Sequence, residues 1–190
     1  MEKREDTDLR NLLHYVTVQP GLCISITSWE VFERMTKQSE VSRELLAEAL
    51  LLLMKKKEYT GITVKEIAEK AGVSRLTFYR NFDSREDILR WHIAQGFQQY
   101  LNTVDRSAET GLKAVISLCF TFWGERSEEI RLFLRQDLAY LLQQPFDSCM
   151  RTLMARLGML QEMPAMQRQL IIRGMFADMI EWISAEYPVT

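Results

Sequence analysis

The sequence predicts an all-α protein, and three observations support this fold class. The 190 residues include four Pro and eight Gly, which are few for a chain of many short strands joined by tight turns. From Ser39 almost to the end, apolar residues recur at the three- and four-residue spacing of amphipathic helices. Hydrophobic residues make up 47% and charged residues 26% of the chain, which is an ordinary globular composition.

Residues 1–34 do not share this helical pattern. Tyr15–Val18 and Leu22–Ile26 have the composition of short strands, and a Pro-Gly turn lies between them. Three interpretations stay open: a disordered or loosely packed arm, an ordered hairpin, and a segment that is not translated in the cell. The last is favoured, because Met35 lies just ahead of the first predicted helix and can serve as a start.

The first helix is predicted from Ser42 to about Lys57. Its apolar stripe consists of Leu46, Ala49, Leu50, Leu53 and Met54. The run Lys55–Lys57 closes the helix, where cations suit the negative end of the helix dipole. A solvated cap is the preferred interpretation of these lysines.

A second helix is predicted to begin at Thr63 and to end at Ala71. Thr63 and Glu66 have the spacing of a capping box, in which each side chain accepts a hydrogen bond from the backbone N–H of the other residue. Gly72 is expected to end the helix, because glycine adopts a positive φ without steric cost.

A short third helix follows from Ser74 to Asn81. Ser74 is the expected N-cap, and Phe78 and Phe82 are expected to be buried on one side of the helix. Ser84 has the sequence context of the next N-cap. Two short helices joined by a turn that contains glycine form a helix-turn-helix.

Charge is distributed unevenly along the chain. The formal net charge is −2, but residues 35–90 carry eleven basic and nine acidic side chains, a net charge of +2. Residues 1–34 and 91–190 are each net acidic. The helix-turn-helix therefore lies in the net-basic part of the chain, which favours an anionic partner for that part.

The run from Thr63 to Leu89 resembles the DNA-binding signature of the TetR family of bacterial transcription regulators. The resemblance extends over Ser42–Leu89, about a quarter of the chain, with departures at Glu58 and Leu76. It implies a homodimeric, sequence-specific regulator of the repressor type, relieved by a small ligand and working at the nucleoid in the bacterial cytoplasm. It also implies a helix-turn-helix domain at residues 35–83 and a helical dimerisation and ligand-binding domain at residues 84–190.

The third helix is expected to lie in the major groove of double-stranded DNA. Its predicted base contacts are Arg75, Leu76 and Thr77, with the arginine pairing to guanine and the other two touching thymine methyl groups. A bond to a phosphate is the alternative for Thr77. The predicted phosphate contacts are Thr63, Lys65, Ser74, Tyr79, Arg80, Asn81 and Arg85. Because a symmetric dimer reads a two-fold site, the expected operator is near-palindromic.

The C-terminal half predicts five further helices, and Pro145 and Pro164 are expected in first turns, where proline is tolerated. Their approximate ranges are Asp87–Val104, Gly111–Trp123, Glu128–Gln143, Phe146–Leu160 and Ala165–Glu186.

The last of these helices is apolar on more than one side, which predicts a second partner for it beyond its own domain. The predicted dimer-interface residues are Leu170, Ile171, Gly174, Met175, Met179, Trp182 and Ile183.

A ligand pocket for a small, largely apolar effector has the candidate lining residues Phe120, Trp123, Phe133 and Tyr140, although plain core is the preferred interpretation of such residues. Neither a metal site nor a cofactor is predicted, because the three Cys and two His do not form a ligand set. No catalytic motif and no membrane-length apolar run is recognised. The alternative function is a helical interaction module of the same fold that no longer binds DNA.

Overall fold

The computed structural model of the protein describes residues 26–107, 112–158 and 162–185. Apart from one 3₁₀ turn, regular structure in these ranges is α-helical, which confirms the all-α prediction. The predicted strands Tyr15–Val18 and Leu22–Ile26 lie outside the described residues except for Ile26, which is helical. The helices are α1 (Ile26–Met54), α2 (Val64–Ala71), α3 (Arg75–Asn81), α4 (Arg85–Arg106), α5 (Leu112–Glu125), α6 (Ser127–Arg135), α7 (Tyr140–Arg156) and α8 (Ala165–Ser184).

The sequence predicted that the first helix begins at Ser42, but α1 begins at Ile26. Neither Gly nor Pro occurs between Leu22 and Thr60, so no residue in that stretch forces the helix to stop. The chain divides into two units between Val41 and Ser42, and everything below concerns the second unit.

The head, defined here as Ser42–Asn81, is built on the predicted stripe of α1. Leu46 and Leu50 are fully buried, and the fully buried Phe78 of α3 belongs to the same core. Phe82, just after α3, is also buried. The two phenylalanines therefore anchor α3 from one side, as predicted, and leave its opposite side to solvent.

Helix α4 continues the chain from the head into the C-terminal helices. Ser84 caps it as predicted, since its hydroxyl accepts a hydrogen bond from the N–H of Asp87 at 3.1 Å. Farther along, Phe97 and Tyr100 are buried, and the ring of Phe97 lies 4.4 Å from that of Trp123 in α5. These contacts make α4 the element shared by the head and the C-terminal core.

The prediction of a single helix over Glu128–Gln143 is wrong, because α6 ends at Arg135 and α7 begins at Tyr140. Asp137 has a φ of 58°, in the left-handed region that ends a helix. Pro145 is inside α7 and not in a first turn, because this earlier start places a full helical turn ahead of it. Pro164 does precede α8 directly, as its N-cap.

Among the described residues, no helix combines the length and the hydropathy that crossing a bilayer requires.

Candidate nucleic-acid interface

The capping box at the start of α2 forms as predicted. The N–H of Glu66 donates to Thr63 Oγ1 at 3.3 Å, and the N–H of Thr63 donates back to Glu66 Oε2 at 2.9 Å. Lys57 Nζ lies 2.6 Å from Glu66 Oε1. This ammonium, with the two hydrogen bonds from Thr63, lowers the pKa of Glu66 to about 2. The carboxylate thus ties the end of α1 to the start of α2.

Gly72 makes the turn between α2 and α3. It adopts a φ of 69°, and the N–H of Val73 reaches back to the carbonyl of Ala68 at 3.0 Å. Ser74 then caps α3, accepting a hydrogen bond from the N–H of Thr77 at 3.0 Å. The predicted roles of Gly72, which ends α2, and of Ser74, which caps α3, are confirmed. Together these residues set the angle between α2 and α3.

The outer side of α3 carries the recognition face, which consists of Arg75, Leu76, Thr77, Tyr79 and Arg80. Leu76 and Tyr79 are each 59% exposed, although apolar side chains of this size are usually buried. Arg75 and Arg80 are exposed beside them. The face therefore combines two cations with apolar surface on a helix whose other side is anchored in the core.

Thr77 and Ser74 are less free than their neighbours. Their hydroxyl oxygens lie 2.9 Å apart, so one donates to the other. Lys65 is exposed, with its ammonium 3.8 Å from the carboxylate of Glu69. The predicted DNA contacts of these residues stay predictions.

Asn81 and Arg85 have roles inside the chain. The amide of Asn81 donates to the carbonyl of Thr77 at 2.8 Å. The guanidinium of Arg85 lies 4.9 Å from the ring centre of Tyr59, and it donates to the carbonyls of Tyr59 and Ile62. The phosphate contacts predicted for Asn81 and Arg85 stay predictions, and each contact would have to form while these hydrogen bonds are kept.

The four predicted pocket residues do not line one site. A cleft of about 570 Å³ is lined in part by Trp123 and Phe133. Phe120 instead packs edge-on against Trp182, with ring centres 4.8 Å apart. Tyr140 is exposed and donates to Glu86 at 3.0 Å, because the break before α7 turns it away from the cleft.

The predicted interface residues of α8 fall into two groups. Met179 and Ile183 are buried within the chain, and Trp182 is half-buried against Phe120. The exposed members of the predicted set are Leu170, Ile171, Gly174 and Met175. Sequence reasoning left out Met166, which is 87% exposed and precedes Leu170 by one turn. That four-residue spacing was the signal that could have added it.

Titratable side chains do not gather into a metal site in the part of the chain that the structure describes. His92 is half-buried, and its Nε2 lies 2.8 Å from Glu129 Oε1. This pair joins α4 to α6.

Comparison with known proteins agrees with this geometry. The family model described as bacterial regulatory proteins, tetR family, matches residues 45–90. The HTH-type dhaKLM operon transcriptional activator DhaS of Lactococcus lactis is 32% identical over 66 residues, which cover 35% of each chain. The uncharacterized HTH-type regulator YvkB of Bacillus subtilis is 40% identical over 50 residues, 26% of each chain. The matches thus span only 35% and 26% of the length of these two curated relatives.

The fold extends beyond the matched segment. The crystal structure of Lin0861 from Listeria innocua superposes with a TM-score of 0.67 over 93% of this chain and 91% of that one, at 14% identity. This likeness concerns the fold alone. The family model and the curated relatives coincide on the helix-turn-helix described above, and the matched family is one of regulators. Residues 45–90 therefore match the domain by which the tetR family of bacterial regulatory proteins is recognised.

Proposed function

We propose that the chain is a homodimeric, sequence-specific DNA-binding transcription regulator, which represses transcription from a near-palindromic operator in the bacterial cytoplasm and is relieved by a small ligand. Residues 35–83 would bind DNA, and residues 84–190 would form the dimer and bind the ligand. The single observation that carries this proposal is the recognition face of α3. Its cations and apolar side chains point outward from a helix that Phe78 holds rigidly.

The recognition face suits the major groove in both charge and shape. The guanidinium of Arg75 offers two parallel donors, which match O6 and N7 of guanine. Leu76 offers apolar contact to a thymine methyl group, and Arg80 and Tyr79 supply donors for the phosphates on either side. Base discrimination is thus assigned to the first turn of α3, and most of the affinity to phosphate contacts.

The dimer is supported by the exposed apolar row on α8. Leu170 is 73% exposed, and Met166, Ile171 and Met175 are exposed on the same helix. Exposure of such an apolar row to water is unfavourable, and a second copy of α8 would cover it.

The ligand is assigned to the cleft of about 570 Å³, a volume within the ordinary range for small-molecule sites. Its walls come from α1, α4, α6 and the α5–α6 junction, with Leu142 from α7. Trp91, Trp123 and Phe133 supply apolar surface.

The experiment that tests DNA binding starts from the host genome. Fragments that the protein retains would be selected, and their affinity would be measured at rising salt concentration. We expect the logarithm of the affinity to fall linearly with the logarithm of the salt concentration, because bound phosphates release counterions. If no fragment is retained at low ionic strength, the proposal fails, and the interaction module without DNA binding becomes the better interpretation.

The Arg75→Ala variant tests the base contact. We expect it to weaken operator binding by about 1–3 kcal/mol and to relax the preference at one base position in each half-site. Arg80→Ala is the control, for which we expect a similar loss on every sequence. Competition with operators altered one base pair at a time measures both effects. A uniform loss for Arg75→Ala would reassign this arginine to a phosphate.

Repression is tested with a reporter placed behind the selected operator. Deletion of the regulator should raise expression of the reporter. A fall in expression would overturn the repressor assignment in favour of an activator.

A further inference from the structure

The junction between α6 and α7 holds one side chain in a fixed position. Helix α6 ends in two backbone hydrogen bonds, from the N–H of Asp137 to the carbonyl of Leu134 at 3.2 Å and from the N–H of Leu138 to the carbonyl of Phe133 at 2.9 Å. This is the pattern of a Schellman motif, with Asp137 in the left-handed position. The residue just before the left-handed one is Gln136, whose backbone is thus fixed at the end of the helix.

The amide of Gln136 contacts the backbone of the head with both its oxygen and its nitrogen. Its Oε1 accepts a hydrogen bond from the N–H of Tyr59 at 2.8 Å. Its Nε2 donates to the carbonyl of Met54 at 3.1 Å and to that of Lys57 at 3.4 Å. The carbonyl of Met54 belongs to the last residue of α1, where backbone oxygens have no partner within the helix, and that of Lys57 to the turn that follows.

The turn that Gln136 contacts leads directly into the helix-turn-helix. The 3₁₀ turn Tyr59–Gly61 is followed by the buried Ile62 and then by Thr63, the N-cap of α2. Arg85 at the start of α4 donates to other carbonyls of the same segment, those of Tyr59 and Ile62. The approach to α2 is therefore bound from α4 through Arg85 and from the α6–α7 junction through Gln136.

We propose that Gln136 is a positioning residue for DNA binding, which couples the α6–α7 junction to the orientation of the helix-turn-helix. The inference rests on the proposed function. Specific binding needs both recognition helices of a dimer in register with their half-sites, and non-specific binding to phosphates is less demanding. Loosening the turn at Tyr59 therefore reduces specific affinity more than non-specific affinity. Phe133, whose carbonyl closes the motif, also lines the cleft, so the same junction connects the cleft to the head.

The test compares Gln136→Met with Gln144→Met in the full chain. Methionine keeps the length of the side chain and removes the amide, and Gln144 is an exposed glutamine on α7. For Gln136→Met we expect an operator affinity about 5- to 30-fold lower, the size that the loss of one or two partly buried hydrogen bonds produces. Affinity for unrelated DNA should change less than about twofold, since phosphate contacts dominate it. Gln144→Met should match the unsubstituted protein in both measurements.

Hydrogen exchange gives a readout that is independent of DNA. The amide proton of Tyr59 should exchange faster in Gln136→Met, while the core amides of α4 keep their protection. If operator affinity and Tyr59 protection both match those of the unsubstituted protein, the inference is overturned. If that protein binds an operator and Gln136→Met loses specific and non-specific affinity equally, the inference also fails while the proposed function stands.

If Gln136→Met does not fold, Gln136→Asn takes its place. It keeps the amide and shortens the side chain by one methylene, so that the amide cannot reach all three backbone groups. A selective loss of operator affinity supports the inference, and operator binding equal to that of the unsubstituted protein overturns it. If the unsubstituted protein binds no DNA, the proposed function falls, and the inference falls with it.

Discussion

At the scale of single residues, Glu66 shows how one carboxylate joins two elements. It accepts hydrogen bonds from Thr63 at the start of α2 and from the ammonium of Lys57 after α1. The contact between Glu66 and Thr63, three residues apart, could be predicted from the sequence as a capping box. The contact between Glu66 and Lys57 could not, because it depends on the path of the chain between α1 and α2.

The pH dependence of stability should report this carboxylate. The pKa of Glu66 is lowered from 4.5 to about 2 in the folded chain, so its stabilising effect is complete above pH 4.5 and is lost as the pH falls from there to about 2. We expect Glu66→Gln to lower the melting temperature at pH 7, with a difference from the unsubstituted protein that shrinks through this window. The effect should be modest, because the pair is partly exposed to solvent.

Thermal unfolding followed by circular dichroism between pH 7 and pH 2.5 measures this difference. Glu69→Gln on the same helix is the control and should have little effect on the melting temperature. A difference for Glu66→Gln that stays constant down to pH 2.5 would contradict the assigned cause.

At the scale of elements, the boundaries of α2 and α3 could be predicted, and those of α6 and α7 could not. Thr63, Gly72 and Ser74 act on backbone groups within a few residues, so their spacing is sufficient. Asp137 has no such signal, because aspartate is a minor occupant of the left-handed position that glycine usually takes. The unbroken apolar pattern across Asp137 therefore predicted one helix where the chain forms two.

The turn between α2 and α3 gives a prediction of its own. Gly72→Ala should destabilise the protein by about 1–2 kcal/mol, because a Cβ disfavours the left-handed backbone even where space is open. A Cβ at Gly72 would meet nothing within 4 Å, so the cost comes from φ alone. Gly61→Ala is the matched control, since its Cβ also meets nothing and its φ is not in that region. Urea unfolding measures both, and equal stability of the two variants would contradict this account.

At the scale of the whole molecule, the proposed dimer depends on which side of α8 faces outward. Sequence reasoning assigned seven residues of this helix to the interface, but Met179 and Ile183 face the core of their own chain. Only packing distinguishes the two sides, because a helix that is apolar on more than one side does not indicate in its sequence which side turns inward.

If the exposed side of α8 forms the proposed dimer, Leu170→Asp should abolish it and leave the fold intact. A carboxylate at this exposed position is well solvated in a monomer and would be costly to bury in an interface. Ala94→Asp, at an exposed position on α4, is the control. Sedimentation velocity measures the association state and circular dichroism the helix content. A dimer that persists in Leu170→Asp would exclude this side of α8 from the interface.

The sequence by itself determined the all-α class, the helix-turn-helix and the side of α3 that faces solvent. These features follow from periodicity and from caps that act over a few residues. Tertiary structure alone decided which groups Arg85 and Gln136 contact, that Trp123 but not Phe120 lines the cleft, and which side of α8 faces outward. Each of these depends on contacts between residues far apart along the chain, and the energies that select them arise only once the helices pack.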